Sequence, residues 1–207
     1  LRHARTELST VDTGLLHLGA LHAAAWFDRP EEAELRNLAY GLVDRAEWDW
    51  FQRENMAIPM GWHPESGFIA RNWEGYNEGK LVYVLALGSA AHPARDGSWA
   101  AWTATYGDFW RGAAARRWLA FAPMFGHQYS EMWIDFRGIR DEPMRRAGFD
   151  YFENSRRATL AQHAYATANP MGWTGYDDRI WGLTACDGPG HFELRHEGHA
   201  ARFAGYA

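Results

Sequence analysis

Acidic and aromatic residues are concentrated in one segment, Gly61–Glu78, which reads GWHPESGFIARNWEGYNE. Three carboxylates, Glu65, Glu74 and Glu78, share these residues with two tryptophans and one tyrosine. Hydrolysis of a glycosidic bond needs a positioned carboxylic acid, usually with a second carboxylate, and flat aromatic rings suit the apolar face of a sugar. The segment therefore indicates sugar chemistry. The alternative is that the rings fill the core and the glutamates are solvated.

Glu78 is the first candidate for a proton donor. It follows Trp73 and Tyr76 where a loop becomes a helix, and partial desolvation there would raise its pKa toward the value that a general acid needs. It could instead be a glutamate that only interacts with the helix dipole. Glu74 is the alternative acid. If the segment were helical, the two carboxylates would share a face and their repulsion would raise one pKa.

Composition and charge narrow the classes of partner. The chain carries 12 Trp, 11 Phe and 9 Tyr in 207 residues, so part of its aromatic rings should line a pocket rather than the core. The formal net charge is −5 and no basic stripe is present, which argues against nucleic acid or an anionic membrane as partner. No segment approaches the roughly 18 apolar residues that span a bilayer.

Neither a metal nor another cofactor is expected. His191, His196 and His199 lie in a Gly-rich, charged tail without the ligand spacing of a zinc site. The single cysteine, Cys186, excludes an intramolecular disulfide and is expected to be inert. Asp187 precedes Gly-Pro and is interpreted first as a turn residue.

Periodicity predicts one mainly helical domain over residues 1–207. The predicted helices span about residues 11–27, 30–51, 77–88, 99–110, 116–119, 127–136 and 151–168, with an αα-hairpin formed by the first two. Residues 52–76 lack a sustained period and are predicted to form a long, functional loop. Repeated helical hairpins with chemistry in their connections predict a toroid of helices. The chain lacks an initiator Met, a signal peptide pattern and a terminal cap, so it is expected to be truncated at one or both ends.

Seven strings, in colinear order over nearly the whole chain, resemble the bacterial glucoamylase-like family, which contains the endo-β-1,2-glucanases. They are STVDTGLL (Ser9–Leu16), GWHPESGF (Gly61–Phe68), NWEGYNE (Asn72–Glu78), HQYSEMWIDFRGI (His127–Ile139), DYFENSRRAT (Asp150–Thr159), NPMGW (Asn169–Trp173) and WGLTACDGP (Trp181–Pro189). The resemblance extends to a related domain of cyclic β-1,2-glucan synthases.

The resemblance implies an all-α fold, the (α/α)6 barrel, with a pocket for β-1,2-glucan where the inter-helix loops gather. It also implies further barrel helices outside this chain, so that an incomplete barrel is expected, and it favours the bacterial periplasm or cell envelope. The chain departs from the family at Gly14 and Cys186, where relatives more often have small residues such as Ala and Ser.

By the resemblance, Asp12 at the start of the first helix faces the pocket as a base or a substrate ligand; it could also be a helix cap. Inverting enzymes separate the two carboxylates by about 6.5–9.5 Å and retaining enzymes by about 5–5.5 Å, and the sequence leaves both open. Asp135 is the second candidate for this role, unless it is a buried partner of Arg137.

Further residues are interpreted as sugar ligands or as structural groups. The proposed aromatic platforms, each with core packing as the alternative, are Trp62, Trp73, Tyr76 and Trp133. The proposed hydrogen-bonding side chains are His127, Gln128 and Arg137. A structural polar network at a helix start is expected from Asp150, Glu153, Asn154, Arg156 and Arg157.

Three function classes remain open. The first is a glycoside hydrolase that cuts β-1,2-glucan internally by carboxylate general acid/base catalysis. The second is a glucan transglycosylase, and the third is a non-catalytic glucan-binding domain. In each case the expected partner is a glucan polysaccharide or oligosaccharide.

Overall fold

The computed structural model describes residues 5–185, 192–196 and 198–203. Its α-helices are α1 (Thr10–Trp26), α2 (Ala33–Val43), α3 (Trp48–Phe51), α4 (Lys80–Gly88), α5 (Ser98–Thr103), α6 (Phe125–Trp133), α7 (Glu142–Ala147) and α8 (Tyr151–Ala168). Its strands are β1 (Leu8–Ser9), β2 (Gly61–His63), β3 (Gly67–Phe68), β4 (Trp110–Arg111), β5 (Trp118–Leu119), β6 (Phe192–His196) and β7 (His199–Phe203).

The first two helices pack together as the predicted hairpin. Ser9 is the N-cap of α1, because its side-chain oxygen accepts a hydrogen bond from the backbone N–H of Asp12 at 3.2 Å. The cap is therefore Ser9, and Asp12 lies in the first turn. The helix ends at Trp26, close to the predicted boundary.

The second predicted helix, residues 30–51, is wrong as a single element. A 3₁₀ turn at Pro30–Glu32 precedes α2, which ends at Val43, and a separate short helix, α3, follows a bend. The bend lets Trp48 enter the core, where it is 1% exposed and meets the ring of His17 edge-on at 6.0 Å. Burial of this large ring outweighs continuation of the local helical period.

The long loop predicted for residues 52–76 is folded back into a small sheet. Strand β2 pairs antiparallel with both β1 and β3, with Trp62 opposite Leu8 on one side and Phe68 on the other. Pro59 and Asn72 form a further bridge. The segment is thus attached to the start of α1 before it reaches α4.

The core between α4, α5 and α8 is built largely from aromatic rings. Tyr76, Tyr83, Trp102 and Tyr151 are completely buried. The ring centroids of Trp102 and Tyr151 lie 6.3 Å apart, and the hydroxyl groups of Tyr106 and Tyr151 are hydrogen-bonded at 2.9 Å. Many aromatic side chains therefore have a packing role.

Two other predicted helices are wrong in part. In the segment 99–110 the α-helix ends at Thr103, and a 3₁₀ turn at Tyr106–Asp108 follows. The segment 116–119 ends in strand β5, paired with β4. There the side chain of Asn154 bonds both the N–H and the carbonyl oxygen of Leu119, at 2.7 and 3.2 Å, and these long-range bonds hold the backbone extended.

The predicted long helix 151–168 is confirmed with the same bounds. Asp150 is its N-cap and accepts the N–H of Glu153 at 2.8 Å. Glu153 in turn forms ion pairs with Arg156 and Arg157. Four of the five predicted residues thus make the polar network, whereas the side chain of Asn154 bonds the backbone of Leu119 instead. Within the described ranges, no helix combines the length and apolar character needed to cross a bilayer.

Candidate active site

Glu78 lies two residues before α4, in a partly buried position. One of its carboxylate oxygens, Oε2, is buried and has no hydrogen-bond partner within the described part of the chain. Burial raises the pKa of Glu78 above its ordinary value, and a backbone hydrogen bond opposes the shift. A carboxyl group in this environment is suited to hold and then donate a proton.

Glu74 occupies a different environment from Glu78. Its side chain is exposed, and its Oε1 accepts a hydrogen bond from Asn72 Nδ2 at 3.0 Å. The helix begins only at Lys80, so the two carboxylates do not share a helical face as the sequence interpretation supposed. Of these two glutamates, only Glu78 is desolvated.

The starts of α1 and α4 lie side by side. A Cβ atom added to Gly14 would lie 2.6 Å from Cδ1 of Leu81, so the missing side chain permits this close approach. Thr10, at the start of α1, is completely buried and accepts a hydrogen bond from Trp73 Nε1 at 2.9 Å. Asp12 and Glu78 are thus at the same end of the helix pair, and Asp12 is exposed there.

Trp73 and Tyr76 are both buried in this structure, at 6% and 0% exposure. Trp73 hydrogen-bonds Thr10, and the hydroxyl of Tyr76 is hydrogen-bonded to Ser155 Oγ at 3.2 Å. The two rings therefore form part of the core around Glu78, and their role as sugar platforms stays a prediction.

His127 is 2% exposed and stacks on Tyr76, with the ring centroids 4.9 Å apart. Its Nε2 lies 3.2 Å from both the N–H and the carbonyl oxygen of Phe121, while Nδ1 is buried without a partner among the described residues. Burial lowers the pKa of His127 to about 4, the Phe121 hydrogen bond opposes this, and the charge of Lys80 adds to it. The imidazole is therefore neutral near pH 7.

Sequence reasoning missed an ion pair next to these residues. Lys80 Nζ lies 2.8 Å from Glu131 Oε1, and the same oxygen accepts a hydrogen bond from Ser155 at 3.0 Å. Glu131 lies four residues after His127 in α6, so the two share one helical face. That spacing indicates a shared face, but the pairing of Glu131 with Lys80, fifty-one residues away, is not visible in the sequence.

A groove of about 530 Å³ runs between α6 and α8. His127, Gln128 and Glu131 contribute polar groups to its wall, while Met132 and Phe152 contribute apolar surface. The structure thus brings together two predicted sugar ligands, His127 and Gln128. Gln128 is exposed and also borders a second groove of about 480 Å³, beside Trp181.

Trp62 belongs to a separate aromatic cluster around α3. Its ring meets that of Trp50 at 5.6 Å, and Trp50 in turn meets Phe68 at 4.9 Å. Next to this cluster, a basin of about 560 Å³ is lined by residues that include Arg53, Phe68 and Asn72. Trp62 is half-buried, and it does not line the α6–α8 groove that His127 and Gln128 border.

The remaining candidates lie at or beyond the end of α6. Trp133 is half-buried, and its ring meets that of His22 at 5.1 Å. Asp135 pairs with Arg137 at 2.8 Å as one alternative supposed, but both side chains are exposed, so the expectation of a buried pair is wrong. The hydrogen bonds from Arg137 lower the pKa of Asp135 below its ordinary value.

Several predicted features fall outside the described residues. Cys186, Asp187 and His191 belong to this group. His196 and His199 face each other in the register of the β6–β7 hairpin, which the sequence analysis did not predict. Among the described residues, no group of His, Cys, Asp and Glu could hold a metal ion.

Comparison with known proteins decides the family. The model of the Glycoamylase family, described as "Putative glucoamylase", matches residues 70–207. The chain belongs to this glucoamylase family. The resemblance drawn from the sequence strings is thereby confirmed.

Members and relatives of the glucoamylase family share the fold of this chain. A crystal structure of a "putative glucoamylase" from Bacteroides fragilis is 26% identical, with a TM-score of 0.75 over 87% of this chain and 45% of that one. An endo-β-1,2-glucanase from Chitinophaga pinensis, in a sophorotriose and glucose complex, is 21% identical, with a TM-score of 0.74 over 96% of this chain and 47% of that one. The predicted helical toroid is confirmed by these neighbours.

Another relative is longer than the proteins in these two crystal structures, because this chain covers a smaller share of it. The exo β-1,2-glucooligosaccharide sophorohydrolase (non-reducing end) of Parabacteroides distasonis is 23% identical over 86% of this chain and 28% of its own length. The chain thus spans less than a third of this relative and about half of the solved glucoamylase-family structures.

Proposed function

We propose that this chain carries the catalytic machinery of a glycoside hydrolase that cleaves β-1,2-glucan internally, with Glu78 as the proton donor. The observation that carries the proposal is the buried, unpartnered Oε2 of Glu78, together with the pKa that burial raises. A general acid for glycoside cleavage needs such a carboxyl, held protonated close to working pH.

The names of similar proteins support the substrate class. One relative is called an exo β-1,2-glucooligosaccharide sophorohydrolase and another an endo-β-1,2-glucanase, so both act on β-1,2-linked glucose. The internal mode of cleavage is proposed from the name of the second of these, the endo-β-1,2-glucanase of Chitinophaga pinensis.

The reaction needs a proton donor and a second carboxylate. Glu78 gives its proton to the glycosidic oxygen as the bond from that oxygen to the anomeric carbon breaks. Asp12 is our proposed second carboxylate, because the contact of Gly14 with Leu81 places Asp12 and Glu78 at the same end of the α1–α4 pair. Asp12 is exposed to solvent, so its carboxylate is accessible to the attacking water and can receive a proton from it.

The test is to incubate the protein, in the longest natural form that carries this chain, with linear β-1,2-glucan and, separately, with starch. We expect new reducing ends from β-1,2-glucan only, with mid-sized oligosaccharides before disaccharide accumulates. Disaccharide as the first product would contradict the internal mode. Redistributed chain lengths without new reducing ends would point to a transglycosylase, and inertness toward both polymers would overturn the hydrolase proposal.

A further inference from the structure

The basin beside the aromatic cluster of α3 is walled mainly by polar side chains. Its volume is about 560 Å³, and its lining includes Arg53, Glu54, Asn55, Phe68 and Asn72. Arg53 and Glu54 are both exposed and carry opposite charges, so the wall has little net charge. Donors and acceptors around a wall of low net charge suit a neutral ligand with many hydroxyl groups rather than an ion.

Arg53 presents hydrogen-bond donors to the basin that no described protein group uses. Its guanidinium lies 5.2 Å from the ring centroid of Phe68, and it forms neither an ion pair nor a hydrogen bond with the residues that the structure describes. A guanidinium holds five N–H donors in one plane, and stacking on a ring restricts its orientation. Adjacent hydroxyl groups of a sugar can accept hydrogen bonds from such a plane of donors.

The loop that carries Arg53 is fixed by hydrogen bonds of its own. The side chain of Gln52 donates to the carbonyl oxygen of Met56 at 3.0 Å and accepts the backbone N–H of Arg95 at 2.6 Å. The guanidinium of Arg95 donates to the carbonyl oxygen of Arg53 at 2.9 Å. Within this loop Met56 is in the left-handed region, at φ 66°. A non-glycine residue keeps this conformation only where its surroundings enforce it, and such residues are concentrated at ligand sites.

The basin lies near the end of the α1–α4 pair at which Glu78 is found. Thr10, in the first turn of α1, donates a hydrogen bond to the carbonyl oxygen of Pro59 at 2.8 Å and accepts one from Trp73 at 2.9 Å. Pro59 also forms a backbone bridge with Asn72, which lines the basin. Asn72 precedes Glu78 by six residues, so their backbones are at most about 22 Å apart. An oligosaccharide of a few sugars covers such a distance.

We propose that this basin is a distal glucosyl-binding subsite, in which Arg53 donates hydrogen bonds to the hydroxyl groups of a glucan chain whose scissile bond lies at Glu78. The proposal rests on the proposed function for the identity of the sugar and the place of cleavage. It assigns no bond-breaking step to Arg53. A chain too short to reach the basin gains nothing from Arg53, so the contribution of Arg53 to binding depends on chain length.

The experiment compares Arg53→Met with Arg116→Met in the longest natural form that carries this chain. Methionine keeps a flexible apolar side chain against Phe68 but removes every donor of the guanidinium. Arg116 is the matched control, because it is also exposed but belongs to the 3₁₀ turn at Ala114–Arg116 and does not line the basin. Both substitutions are made in a Glu78→Gln background, so that turnover does not interfere with the measurement of binding.

Calorimetry measures the affinity of each protein for linear β-1,2-glucooligosaccharides of increasing length, from the disaccharide upward, and urea unfolding reports stability. In the parent, affinity should rise with length until the chain reaches the basin. We expect Arg53→Met to bind chains of that length and above about 10- to 100-fold more weakly, the range for loss of hydrogen bonds to a charged group. The loss should be absent for shorter chains. The control should match its parent at every length, with all three proteins equally stable.

Equal affinities of Arg53→Met and its parent for every chain length would overturn the proposal. A loss of the same size for the disaccharide and for the longest chain would also overturn it, because Arg53 would then act through the structure as a whole. Absence of oligosaccharide binding by the parent would have the same consequence. Failure of the proposed function looks different. In that case the Glu78→Gln protein cleaves glucan as fast as the unsubstituted protein, while binding of long chains still depends on Arg53.

Discussion

The ring of Tyr76 stacks on the imidazole of His127, with centroids 4.9 Å apart and ring planes inclined by 27°. Tyr76 lies two residues before Glu78, in the segment between the small sheet and α4, and His127 lies in α6. The stack therefore joins the proposed proton donor's segment to the wall of the α6–α8 groove. It also explains why His127 is neutral, since the ring is enclosed by protein rather than water.

The first prediction concerns stability between about pH 4 and 6.5. His127 titrates near its ordinary value, 6.5, when unfolded and at about 4 when folded, so within this window the unfolded chain binds more protons. The free energy of unfolding should rise with pH across the window, by an amount on the order of 3 kcal/mol at most. Stability is thus present above the window and lost as the pH falls.

Urea unfolding of the native protein and of His127→Gln, measured across this window, checks the prediction. The variant should be less stable overall but show a flatter pH dependence. Some dependence should remain, because burial also lowers the pKa of His17. His92→Gln is the control, since His92 is partly exposed and pairs with Asp49. Parallel pH profiles for the native protein and His127→Gln would contradict the assignment.

The second prediction uses two glycines of the same helix. Gly14→Ala places a methyl group 2.6 Å from Cδ1 of the buried Leu81, and such overpacking costs about 1–3 kcal/mol. Higher helix propensity returns up to about 1 kcal/mol, so a net loss of up to about 2 kcal/mol is expected. Gly19→Ala meets nothing within 4 Å and should stabilise α1 by about 0.5–1 kcal/mol. Equal changes in the two unfolding free energies would show that α1 and α4 do not approach closely.

The third prediction concerns Asp141, whose carboxylate accepts three hydrogen bonds. Its Oδ2 accepts hydrogen bonds from Tyr151 at 2.6 Å and Trp99 at 2.8 Å, and its Oδ1 accepts the N–H of Met144 at 3.0 Å. Asp141→Asn turns one acceptor into a donor, so thermal or urea unfolding should show a loss of about 2–4 kcal/mol. Asp135→Asn, which changes an exposed pair, should leave stability close to that of the parent. Similar losses in both variants would rule out a special role for Asp141.

Features that depend on local sequence were predicted well. The bounds of α8 follow from its periodicity, with Asp150 before the helix and Asn169 in a left-handed conformation after it. Residues 116–119 were assigned wrongly because the decisive contacts come from Asn154, which lies far away in the chain. The hydrophobic periodicity of residues 116–119 alone cannot reveal a hydrogen bond to a residue thirty-five positions away.

Of the candidate site, the sequence singled out Glu78 but not Glu131. Glu78 stood out because it follows a loop rich in aromatic rings, and the structure places it in a partly buried position. Glu131 was missed because its importance depends on Lys80, which the sequence places fifty-one residues earlier, and on Ser155 in α8. The contacts among Glu131, Lys80 and Ser155 join three helices and arise only when the chain folds. Glutamate and lysine are common on helix surfaces, so their presence in the sequence did not indicate a buried pair.

The last prediction compares Glu78 with Glu74. Both are glutamates of the same loop, but Glu78 has a buried oxygen without a described partner, whereas Glu74 is exposed. In the longest natural form, Glu78→Gln should lower kcat on linear β-1,2-glucan about 10²- to 10⁴-fold, the usual contribution of a general acid. Glu74→Gln should leave kcat within a few-fold of the parent. Circular dichroism and unfolding would confirm that both variants are folded.

The pH dependence of kcat/KM tests the role of Glu78 as proton donor more directly than the loss of kcat does. Because burial raises the pKa of Glu78 and the acid must be protonated to act, activity should fall as the pH rises above that raised value. The alkaline limb should be absent from the residual activity of Glu78→Gln, since an amide does not titrate. If the limb persists in Glu78→Gln, or if Glu74→Gln is the variant that removes it, the proton donor is not Glu78.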